Sequence, residues 1–156
     1  MKSIIILLVL ALNSISAANP NLSDREKAIV WAVQFAGEEG GAMAPRDTIK
    51  NYPYTVAKAI AYGFQYPDYI TPLFTASIGA DAAVAGMQSH ILATVLLASG
   101  DAAFSQALAK ADQKALKSSA NLLQGIFRFG KLNSGVKLSW KNYPKTYQML
   151  PKITKD

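Results

Sequence analysis

Residues 82–100 read AAVAGMQSHILATVLLASG, nineteen positions without a charge. The length nearly matches the roughly 20 apolar residues that cross the hydrocarbon core of a bilayer. Gln88, Ser89, His90 and Thr94 interrupt the run, and its alanines and two glycines make it a poor lipid-facing surface. Burying apolar area is worth roughly 25 cal/mol per Å². The run is therefore expected inside the protein, as the central helix of a bundle. Ala85, Ser89 and Ala93 form a small-residue row that lets a neighbouring helix come close.

Helix signals punctuate both flanks. Gly100-Asp101 and Asp112 each open a helix on the C-terminal side. In the second, Lys114, Lys117, Asn121, Gln124 and Arg128 form a polar stripe opposite Leu116, Ala120, Leu123 and Phe127, and Gly130 suits its stop. Toward the N-terminus, Ser23-Asp-Arg-Glu26 is a capping box for a helix to about Ala36 that is apolar on nearly all sides. Pro53–Gln65 reads as a helix with two stripes, Val56, Ile60 and Phe64 on one and Tyr54, Lys58, Tyr62 and Tyr66 on the other. Thr71-Pro72 starts a short helix. Residues 79–84 (GADAAV) and 99–104 (SGDAAF) resemble each other, a likeness that helix capping explains better than a structural repeat.

Beyond Gly130 the period changes. Val136-Lys-Leu-Ser-Trp140 alternates apolar and polar after an Asn133-Ser-Gly135 turn, which predicts a short strand or an extended arm. A short helix follows near Pro144–Leu150. The hexapeptides KNYPYT (50–55) and KNYPKT (141–146) agree at five of six positions, but their flanks differ. Proline tolerates the first helical turn and pushes the preceding residue out of the helical region. The pair reads as one helix-entry device used twice, with Tyr52 and Tyr143 at the corner and Asn51 and Asn142 supporting it through side-chain hydrogen bonds. The expected fold class is all-α: a single-domain bundle of five to six helices around the central apolar one, with an irregular basic C-terminal arm.

The first residues, Met1-Lys2-Ser3, precede an apolar run from Ile4 to Leu12 and small residues up to Ala18. This pattern predicts a signal peptide over 1–18, a helical domain over 19–130 and a basic arm over 131–156, packed on the domain or trailing it. The expected location is secreted or periplasmic. The chain has no cysteine, which excludes thiol catalysis, cysteine–zinc sites and disulfide-rich scaffolds. Residues 19–109 carry five basic and eight acidic side chains, whereas 110–156 carry ten basic and two acidic. A basic C-terminal third draws a protein toward anionic surfaces, or simply keeps it in solution.

The search for chemistry is mostly negative. His90 is the only histidine and lies in the most apolar stretch, which reads as a core histidine rather than a triad member. Ser134-Gly-Val-Lys137 matches a serine–lysine nucleophile pattern but lies at a turn without the accompanying motifs. Glu38, Glu39 and Asp47 are the candidate carboxylates of an envelope-active hydrolase, set among glycines rather than in an apolar niche. No catalytic residue, metal site or cofactor is assigned.

Five of the seven tyrosines lie between 52 and 69. Tyrosine is stiff and amphipathic, and interfaces favour it, so Tyr54, Lys58, Tyr62 and Tyr66 are the candidate partner-binding residues. Lys137, Trp140, Lys141 and Lys145 are the candidate contacts for an anionic membrane or wall polymer, because aromatics among lysines suit head groups. Nucleic acid is not an expected partner of a secreted chain. The reading that follows is a small secreted non-enzymatic binding protein with a protein partner, for example an immunity or inhibitor protein. The alternatives are the hydrolase and a surface-adhering protein.

Overall fold

The computed structural model describes residues 20–37, 49, 51–80 and 82–151. The predicted signal peptide and the carboxylates Glu38, Glu39 and Asp47 lie outside the described residues. Among those described there are six α-helices and no strand: α1 (Asp24–Gly37), α2 (Tyr52–Tyr62), α3 (Thr71–Thr75), α4 (Ala82–Leu108), α5 (Gln113–Phe129) and α6 (Pro144–Met149). Single 3₁₀ turns at Pro67–Tyr69 and Trp140–Asn142 precede α3 and α6.

Local signals start and stop these helices. At α1 the Ser23 amide donates to Glu26 Oε2 at 2.8 Å, and the Glu26 amide donates to Ser23 Oγ at 3.3 Å. The Ser23 hydroxyl, and then its amide, hold the Glu26 carboxyl below the usual carboxylate range. At α5 the Asp112 carboxylate accepts from the Ala115 amide at 2.8 Å, and Gly130 (φ 72°) closes the other end in the left-handed conformation. Helix α4 breaks its own regularity at Gly100, whose φ of 80° and ψ of 166° lie in a region open essentially to glycine alone. The charge-free run and the segment from Asp101 to Leu108 are thus two helical pieces laid end to end.

Helix α4 packs against α1, α2, α5 and α6. Ile91, Leu92, Val95, Leu96, Phe104 and Leu108 bury fully there. They meet alanines of α1, Val56 of α2, Leu73 and Phe74 of α3 and Leu123 of α5 in one cluster. Phe74 and Phe104 meet edge to face, centroids 5.2 Å apart. The most apolar 18-residue window of the stretch Val84–Leu108 has a mean hydropathy of 1.4, and 67% of that window is buried within the protein.

One polar node crosses this interior. The Tyr52 hydroxyl donates to Gln88 Oε1. Gln88 Nε2 donates to the Leu73 carbonyl at 3.0 Å and to Ser77 Oγ at 3.3 Å, and Ser77 Oγ donates to the Leu73 carbonyl at 3.1 Å. The node joins α2, α3 and α4 through one side-chain amide. Burial raises the Tyr52 phenol above its usual range, against the opposing effect of Gln88.

The repeated hexapeptides both enter a helix with proline in its first turn, by different backbone routes. Asn51 holds a left-handed conformation (φ 60°, ψ 54°) and makes no side-chain capping bond. Asparagine tolerates that region, so its backbone supplies the corner that its side chain was expected to supply. In the second copy Asn142 ends a 3₁₀ turn and Tyr143 (φ −135°) stands at the corner. Tyr52 is fully buried and Tyr143 only partly.

Among the described residues the alternating stretch at 136–140 joins no sheet: Ser139 is extended (φ −147°, ψ 130°), and Trp140 already opens the 3₁₀ turn. Its one ladder element is an isolated antiparallel bridge between Lys131 and Lys137, supported by Leu132 N to Val136 O at 2.9 Å and Leu138 N to Gly130 O at 2.7 Å. The alternation instead sorts burial along a loop, with Lys137 outward and Leu138 inward. Leu132, Leu138 and Leu150 enter the same core as α4.

Helix α6 is capped from a distance. Asp101, just past the Gly100 break, accepts the Lys145 amide at 2.9 Å and the Thr146 amide at 2.8 Å. Burial disfavours its charge, but the Thr146 and Lys145 amides and the Lys145 charge outweigh it and hold the carboxyl below its usual value. Asp101→Ala is expected to cost about 1–2 kcal/mol, the upper range for a lost N-cap. A group whose folded pKa is depressed stabilises above its unfolded value and ceases to do so as pH falls through the folded one. Urea titrations should therefore show the gap between wild type and variant full at neutral pH and closing below the ordinary carboxylate range. An equal gap at every pH would contradict the assignment.

Candidate functional site

Tyr54, Lys58 and Tyr62 stand four residues apart and share one face of α2. Tyr54 and Tyr62 are half-buried, packed with Ile60 against Val33 of α1 and Ala57. Lys58 turns elsewhere, and its Nζ lies 3.7 Å from the centre of the Tyr69 ring. At this range a cation is held by the negative face of the aromatic ring. Tyr66 lies beside Tyr69, centroids 5.5 Å apart and planes at 45°.

The predicted stripe ends earlier than its period implied. Helix α2 stops at Tyr62, and the Gly63 amide returns to the Ala59 carbonyl at 2.8 Å. A β-carbon at Gly63 would stand 2.4 Å from that carbonyl oxygen and 2.9 Å from Ile70 Cγ1, so the chain turns where only glycine fits. Phe64 consequently leaves the apolar stripe and is 56% exposed. Tyr66 arrives through the turn rather than as a fourth rung of the helix, and is 54% exposed. The Asp68–Lys110 ion pair links this turn to the end of α4.

Tyr69 is the residue that the helical spacing missed. Its signal was Pro67, which forces a turn and folds Tyr69 back over Lys58. Tyr66, Tyr69 and Lys58 thus come together, with the exposed Phe64 two residues before Tyr66, while Tyr54 and Tyr62 pack toward Val33 of α1. Lys58 is held in place over a ring, and the aromatics carry few rotatable bonds, so the surface loses little freedom when it meets a partner.

The basic set is arranged differently. Lys137, Lys141 and Lys145 are exposed, while Trp140 is half-buried. One face of Trp140 stacks on Phe127 at 3.7 Å, with 13° between planes. Tyr147, 53% exposed, lies 5.3 Å from Trp140. Tyr143 meets Phe127 edge-on at 5.8 Å. Burial raises the Tyr143 phenol, with Arg25 acting against that shift and Asp101 with it.

His90 is half-buried at a cavity wall rather than enclosed in the core, edge-on to Phe35 at 6.1 Å. Burial holds its pKa below the ordinary value, so the ring is neutral at neutral pH. Ser134 is buried in its turn while Lys137 faces water, so the serine–lysine match forms no open nucleophile site. Among the described residues no three His, Asp or Glu side chains gather in a metal-binding group. Comparison of the chain with protein-family models, with curated proteins and with solved structures finds no match.

Proposed function

We propose that this chain is a small secreted, periplasmic, non-enzymatic binding protein: a single-domain helical bundle built around its apolar central helix. Its partner is a protein of the same compartment, and an immunity or inhibitor protein acting on a toxin or hydrolase is the concrete form. The observation that carries the reading is the Tyr66–Tyr69 pair with Lys58 held against Tyr69, together with the exposed Phe64 two residues before Tyr66. Exposed aromatics are frequent anchors of protein interfaces.

The test is capture of the native envelope extract on immobilised protein, at low and high salt, with wild type beside a Phe64→Ser/Tyr66→Ala variant. A single protein retained in near-equal amount at both salts, and lost with the variant, is the expected result. Circular dichroism should show the variant folded, since neither side chain belongs to the core. The same protein retained equally by the variant would sink the proposal.

A second reading rests on Tyr147 and Trp140 beside the exposed Lys137, Lys141 and Lys145. It makes the protein an adherent of anionic lipid or wall polymer. Sedimentation with phosphatidylglycerol vesicles is then expected to fall as salt rises and to vanish when the three lysines become glutamine. Binding indifferent to both changes would dismiss it.

A further inference from the structure

A cavity of about 550 Å³ opens beside His90, away from every residue assigned above. Gly86, Ser89 and His90, on one face of α4, form its floor. The end of α5 supplies Ile126 and Phe129, and the turn beyond it supplies Lys131, Leu132 and Asn133. Its size lies within the range of small-ligand sites, which pair apolar walls with a few convergent polar groups.

We propose that this cavity binds a small amphiphilic carboxylate of the medium-chain fatty acid type. The carboxylate faces Lys131 and Asn133, and the hydrocarbon lies along the exposed ring of Phe129, with the largely buried Ile126 and Leu132 behind it. Three observations select that chemistry. Lys131 is the one charged group among the described lining residues, so the cavity favours an anion. Gly135 also lines the cavity and has the Asp24 carboxylate against it, but Asp24 itself is not a lining residue and its charge is shared with Lys27, 4.0 Å away. Secondly, Phe129 is 79% exposed, the most exposed large apolar side chain of the described set, and a hydrocarbon tail would cover it. Thirdly, glycine in a helix interior costs about 1 kcal/mol against alanine, yet no atom lies within 4 Å of where a Gly86 β-carbon would stand. That face of α4 is therefore open to the cavity. Ser89 donates its hydroxyl proton to the Gly86 carbonyl at 2.7 Å, which leaves Lys131, the Asn133 amide and the one ring N–H of neutral His90 as donors for the head group.

Isothermal titration of the full-length protein with dodecanoate, kept below its micelle concentration, tests this. Saturable one-to-one binding is expected. Lys131→Gln, an exposed substitution that leaves the core untouched, should weaken it by roughly tenfold, about the worth of one charge-assisted contact. Gly86→Leu should abolish it by filling the space, and gains helix propensity in doing so. Dodecyltrimethylammonium, with the same tail and opposite charge, should bind at least roughly tenfold more weakly. Absence of saturable binding, equal affinity for the cationic probe, or wild-type affinity in the Lys131→Gln protein would each overturn the proposal.

Discussion

Gln88→Leu is expected to lower the unfolding free energy by about 3 kcal/mol, although leucine is the more apolar residue. Gln88 is 1% exposed and is the shared partner of Tyr52, Leu73 and Ser77. Removing its amide leaves the buried Tyr52 hydroxyl without an acceptor and takes one donor from the Leu73 carbonyl. Each orphaned buried group costs about 1–3 kcal/mol. The signature is non-additivity. Tyr52→Phe removes the hydroxyl that Gln88→Leu strands, so the double variant should lose less than the two single losses combined, with a coupling above about 1 kcal/mol. Denaturant unfolding of the four proteins measures it. Additive losses would mean that the three helices are not joined through this amide.

Phe104→Ala is expected to be costlier still, about 3–5 kcal/mol. The ring is fully buried and meets Phe74 edge to face at 5.2 Å and 80°. Truncation forfeits the transfer free energy, the cavity and an aromatic contact worth about 0.5–1.5 kcal/mol. Phe104 lies just past the Gly100 break, in the half of α4 that turns to meet α3 and α6. Its loss should therefore loosen the C-terminal segment as well as the core. Phe104→Leu, which keeps most of the volume, should cost about half as much or less. A loss below about 1 kcal/mol for the alanine variant would show that the core can collapse around this site.

What could be read in the sequence was local. The Ser23–Glu26 box and the Asp112 and Gly130 ends of α5 act over three or four residues, so their letters and their geometry coincide. The all-α class followed from the charge-free run at 82–100 and the two-faced pattern of 113–129. The alternation at 136–140 did not mark a strand: a period of two sorts burial along a loop as well, no partner strand lies beside it among the described residues, and Trp140 already turns into a 3₁₀ helix. The candidate surface was half legible: helical spacing grouped Tyr54, Lys58 and Tyr62, while Tyr69 joins them only through the turn that Gly63 and Pro67 impose. The Tyr52–Gln88 bond spans 36 residues and the Asp101 cap 44 and 45, and no local pattern marks such pairs. The cavity beside His90 is assembled from α4, α5 and a loop, and each piece looks ordinary alone.

The distant cap on α6 also bears on the order of events during synthesis. Leu138 and Leu150 close a core that begins in α1, and the amides of Lys145 and Thr146 satisfy a carboxylate made some forty residues earlier. A nascent chain that has emerged only as far as α5 still lacks both leucines, the Trp140 that shields Phe127 and the amides that meet Asp101. Its interior stays open until α6 has emerged, so the core closes late and at once rather than piece by piece along the chain.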